Sequence, residues 1–149
     1  MFTDTITVFN RYESRLGDKW YPSVIHKANV QMDKGAMMAK YGSESKDSVM
    51  VAIHYIPDGT ERKISGKTYV GPKKWDELPE EELENHITFK NGTAFDFFML
   101  GEYENAGPIA DEDYTDGFYN YINQTHDNVF AITSIGLYSV VPHFEILGK

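Results

Sequence analysis

Val129-Phe130-Ala131-Ile132-Thr133-Ser134-Ile135 and, three residues on, Tyr138-Ser139-Val140-Val141-Pro142-His143-Phe144-Glu145-Ile146-Leu147 decide how the chain reads. In the second stretch Tyr138, Val140, Phe144 and Ile146 alternate with Ser139, His143 and Glu145. A period of two means a strand with one packed face and one wet face. Val24–Met32 shows the same period. Val24, Ala28, Val30 and Met32 fall on one face together with His26, and Lys27, Asn29 and Gln31 fall on the other.

Further strands follow from β-branched and aromatic content at Thr5–Tyr12, Val49–Ile56, Lys67–Val70, Ile87–Phe89 and Phe95–Leu100. Turn signals separate them. Arg11–Lys19 is polar around Gly17, Pro57-Asp58-Gly59 presets a turn, and Asn91-Gly92 marks a tight one. Gly107-Pro108 is a break. From Ile109 to about Thr125 the period changes: Tyr114, Phe118, Tyr121 and Ile122 share one helical face, and the acids Asp111, Glu112 and Asp113 suit a helix start. Gly117 weakens that helix. Lys74–Glu84 reads as a short helical turn with an acidic face, interrupted by Pro79. The expectation is one mainly β domain over 1–149. It is a small β-barrel or sandwich of about seven strands, with one long loop (Asp33–Ser48) and one helix inserted before the final hairpin.

Charge is unevenly placed. The net is −9. Residues 1–75 carry 12 Lys/Arg against 8 Asp/Glu, and residues 76–149 carry 2 against 15. Six acids and no base lie in Asp76–Glu84, and six more in Glu102–Asp116. These are either solvated loops or one half of a polar molecule that docks its basic part on a neighbour's acidic part. A sequence-reading DNA binder is not expected, because phosphate binding needs clustered Lys and Arg. There are no cysteines, so disulfide and thiolate chemistry is excluded, in keeping with synthesis in a reducing cytoplasm. Neither a leader sequence nor a membrane span is expected.

Chemistry-bearing patterns are sparse. His26, His54, His86, His126 and His143 are scattered, with no metal-ligand spacing. The run Asp111–Gly117 fails as a calcium loop, since Asp116 stands where the glycine belongs and Ile122 where the bidentate Glu belongs. No nucleophile motif or phosphate-cradling loop occurs, so neither catalysis nor a cofactor is expected. Aromatic residues reach 14%. Trp20-Tyr21 and Tyr119-Asn120-Tyr121 are open between packing of the β core and exposure, the latter for a subunit interface or sugar stacking. Met37, Met38 and Tyr41 on the long loop suit docking onto a neighbour. With Glu80, Glu81, Glu82, Asp111, Glu112 and Asp113 they form the candidate interface set.

Three segments resemble a known group. Asp4-Thr5-Ile6-Thr7-Val8-Phe9-Asn10 is similar to the opening of minor capsid or head–tail connector proteins of Gram-positive tailed phages and prophages. Ile87–Gly92 running into Phe95–Glu102 looks like their strand–turn–strand ending in Gly-Glu, and Val129–Ile135 with Pro142–Lys149 looks like their final hairpin, which closes with a Pro-His-aromatic strand and a Gly-Lys. The long Asp33–Ser48 loop and the acidic Asp76–Glu84 run depart from that pattern. The resemblance implies a ring-forming β-barrel subunit, with six- or twelve-fold copies between portal and tail. Its partners would be itself, portal or adaptor and tail proteins, and passing DNA met without sequence recognition. It would be made in the bacterial host cytoplasm and reside in the virion, as a stopper, head-closure or adaptor part, with no membrane. A tail terminator or other minor tail protein is the alternative within that class; a carbohydrate-binding module and a small hydrolase are the alternatives outside it.

Overall fold

The computed structural model describes residues 2–32 and 49–149. The order along the chain begins β1 (Asp4–Tyr12), β2 (Lys19–Gln31), β3 (Val49–His54), β4 (Ile56–Asp58), β5 (Glu61–Ile64) and β6 (Lys67–Tyr69). Helix α1 (Pro72–Glu77) and a 3₁₀ turn (Glu80–Asn85) follow, then β7 (His86–Ile87), β8 (Phe97–Leu100) and β9 (Ile109–Ala110). A second 3₁₀ turn (Asp111–Asp113), helix α2 (Phe118–Thr125), β10 (Val129–Tyr138) and β11 (His143–Gly148) complete it.

Six strands close on themselves in the order β1-β8-β10-β11-β3-β2, with β2 pairing back to β1, and every pairing is antiparallel. β9 adds to β2 at Lys19 and Trp20. A smaller sheet, β4-β5-β6-β7, lies beside the barrel. The chain is therefore the mainly β barrel its alternation predicts. A closed barrel has no unpaired edge.

Neighbouring residues on the strands feed two cores. Val8 and Phe98 point into the barrel with Ile6, Ile25, Val51, Ile53, Phe130, Phe144 and Ile146. Phe9, Phe97 and Met99 point outward and are covered by Phe118 and Ile122 of α2, together with Trp20 and Tyr103. Trp75 of α1 and Leu83 of the first 3₁₀ turn pack on Tyr21 in a third, smaller cluster. Trp20 and Tyr21, left open between core and surface, are both buried and belong to the core.

Several boundaries differ from expectation, each for a local reason. Ile6 pairs with Ile25 but Asp4 with Ala28, so β2 carries one extra residue at His26–Lys27. This β-bulge changes the phase of the alternation. Ile25 and Ala28 both face the core, while His26, expected on the apolar face, is exposed. The helix expected from Ile109 forms only from Phe118, because Gly117 sits at φ 88°, outside helical space. Leu78-Pro79 splits the acidic helical turn into α1 and the 3₁₀ turn, both residues being extended. Strand β5, Glu-Arg-Lys-Ile, carries no alternating signal. Of the last two strands, β10 runs on through Tyr138, and Ser139–Pro142 is the turn.

Candidate assembly surface

That turn is the least expected part of the surface. From Leu137 onward β10 leaves the core: Leu137, Tyr138, Val140 and Val141 are all exposed, Val140 at 97%. The turn is nevertheless held. Tyr55 donates its hydroxyl to the Tyr138 carbonyl at 3.1 Å and its backbone N–H to the Pro142 carbonyl at 3.4 Å. The His143 ring stacks on Tyr138, and its Nε2 lies 2.9 Å from Glu145 Oε2. Burial works against a charge on His143, but the Glu145 carboxylate and the Val141 carbonyl outweigh it, so its pKa is raised. Ile56, the residue after Tyr55, is exposed as well. Leu137, Tyr138, Val140 and Val141 thus form a fixed apolar projection at the hairpin tip. The signal in the sequence was Pro142: proline inside a strand belongs at an edge, a strand start or a bulge.

The two acidic runs meet elsewhere, around the turn between β1 and β2. Lys19 Nζ pairs with Glu80 Oε2 at 2.6 Å. Asp111 N–H donates to the Asp18 carbonyl at 2.9 Å, and Glu112 lies against Gly17. Glu80, Glu81, Glu82, Glu112 and Asp113 are exposed there. Asp111 is engaged within the fold: its Oδ1 accepts both Trp20 Nε1–H and the Phe118 N–H at 2.9 Å. This carboxylate satisfies an otherwise orphaned donor at the start of α2. Met37, Met38 and Tyr41 lie outside the described residues.

A buried ionic cluster closes one end of β1. Asp96 is fully buried and accepts hydrogen bonds from Asn10 Nδ2 (2.8 Å), Arg11 N–H (2.8 Å) and Lys90 N–H (3.0 Å). Lys90 Nζ lies 3.7 Å from Asp96 Oδ1 and donates to the Arg11 carbonyl, which also accepts Trp75 Nε1–H at 3.0 Å. Burial pushes the Asp96 pKa up to about 7, against the pull of Lys90 and the three N–H donors. Every neighbour is a donor holding the carboxylate to the backbone, so the cluster ties β1 to the 88–96 segment. Among the described residues no three His, Asp or Glu side chains are grouped so as to hold a metal ion. No helix among them is long and apolar enough to cross a membrane.

These features define a small closed antiparallel barrel with an outer helix, an acidic rim and one projecting apolar hairpin. A family model described as a family of unknown function, DUF6751, matches residues 1–149, and the chain belongs to that family. No curated protein and no solved structure matches it.

Proposed function

We propose that the protein is a ring-forming structural subunit of the tailed-phage head–tail junction, a stopper, head-closure or adaptor part joining portal to tail around the DNA channel. The observation that carries this reading is the fixed apolar projection at Leu137–Val141. Leaving those side chains in water forgoes burial free energy of about 25 cal/mol per Å² of apolar surface, which contact with another subunit recovers. The six barrel strands leave no free edge, so contact through the barrel wall falls to projecting side chains, while β4 and β9 keep open edges. An acidic rim also repels phosphate, which suits a channel through which DNA passes without being held. The resemblance of the opening, central and closing segments to head–tail connector proteins supports the virion setting.

Mass photometry and electron microscopy of the purified protein, with mass spectrometry of intact particles, test the proposal. Rings of six or twelve copies and presence at the particle neck are expected. A protein that stays monomeric at high concentration and is missing from particles would end it.

A further inference from the structure

A second surface lies at the start of α2; it borders the acidic rim, with which it shares Asp113, and stands on its own geometry. A hollow of about 250 Å³ opens there, lined by Asp113, Tyr114, Asp116, Asn120, Tyr121 and Gln124 among others. Tyr121 is 42% exposed, yet its ring is anchored on its protein side. It lies 4.6 Å from Tyr114 and 6.5 Å from Phe118, the latter near-parallel at 27°. Tyr114 rests on Phe118 in turn at 5.1 Å, and Phe118 is fully buried. The ring is thus a partly solvated platform whose orientation is set before any ligand arrives, which lowers the entropy cost of binding.

Hydrogen-bonding groups surround this platform. Asn120 Nδ2 donates to the Asp116 carbonyl at 2.7 Å, which fixes the amide and leaves its oxygen as an acceptor. Gln124 adds a second amide one helical turn on, and the Asp113 and Asp116 carboxylates add acceptors; all three are exposed. An aromatic platform beside paired amides and carboxylates matches a pyranose ring. The C–H face of a pyranose stacks on an aromatic ring, and its hydroxyls both donate and accept at the edge. Neither Lys nor Arg lines the hollow, so two carboxylates disfavour an anionic sugar and accept a neutral or amino one.

We propose that the Tyr114–Tyr121 hollow is a binding site for the pyranose ring of a neutral or amino sugar. Saturation-transfer NMR on the intact protein tests this in whatever assembly state it adopts, with glucose, galactose, N-acetylglucosamine, glucosamine and glucuronate as probes. At least one neutral or amino sugar is expected to show transfer at millimolar concentration, and glucuronate none. Tyr121→Phe is expected to keep binding, and Tyr121→Ala to weaken it about tenfold. Gln124→Ala, an exposed change, is expected to weaken binding without altering the fold, and it decides the matter should Tyr121→Ala fail to fold. Silence from every neutral and amino sugar, unchanged binding in Gln124→Ala or in a folded Tyr121→Ala, or preference for glucuronate would overturn the proposal. None of these outcomes bears on ring formation, which is read by mass.

Discussion

Tyr138 and His143 stack across the last hairpin with ring centroids 4.8 Å apart and planes 9° from parallel. The pair lies at the base of the exposed turn, and the Glu145 carboxylate holds the imidazole in place. The His143 pKa is raised in the folded protein, so its stabilising contribution is full below about pH 6.5 and is lost as pH rises through the folded value. An NMR titration should place that pKa above 6.5, and Glu145→Gln should lower it. A value unchanged by that substitution would remove the carboxylate from the account.

Val140 tests the surface itself. It makes little contact within the fold, so Val140→Asp should change stability by no more than about 0.5 kcal/mol. It should nevertheless abolish higher-order assembly, because a buried interfacial charge without a partner is costly. Matching thermal melts together with unchanged ring mass would remove the hairpin tip from the interface.

The Asp96–Lys90 pair should respond asymmetrically. Lys90→Met leaves a buried carboxylate without its ammonium and should cost about 3–5 kcal/mol in chemical denaturation. The Asp96 pKa is raised from 3.8 to about 7, so between those values the folded chain holds a proton that the unfolded chain has released. The contribution of Asp96 therefore falls as pH rises through that window and levels off above it. The stability gap between the native protein and Asp96→Asn should narrow from pH 4 to pH 7. A gap that widens would reverse the assignment.

Asp111→Ala should destabilise the protein by about 1–3 kcal/mol, since it orphans both the buried Trp20 indole N–H and the Phe118 amide. Accelerated amide exchange at Phe118 should accompany the loss. Protection equal to that of the native protein would assign the capping to another group.

Gly148→Ala should cost about 1–3 kcal/mol by overpacking. A methyl there would come within 2.8 Å of Phe130 Cβ and the Phe98 ring. Equal denaturation midpoints would mean that those rings move aside.

Strand content was legible because alternation reports burial directly: Phe97, Phe98 and Met99 point out, in and out, as their neighbours in β8 require. The extent of the insertion was not. Tyr114 and Phe118 keep helical spacing and do touch, but through a turn that Gly117 makes possible rather than along one helix. The hairpin tip reads as part of a strand because Val140 fits the alternation, and alternation cannot tell a core-facing side chain from one left in solvent. Lys90 and Asp96 carried no signal, since charged residues default to solvent and only a closed fold brings donors from Asn10, Arg11 and Lys90 onto one carboxylate.

The extra residue at His26–Lys27 has a consequence for how the gene can vary. Shortening the strand by one codon there would put the two halves of β2 back in step, and in doing so would rotate Ala28 and Val30 away from the barrel interior or Tyr21 and Ile25 out of their packing. Substitutions at His26 and Lys27 should be broadly tolerated, whereas a change in their number should not.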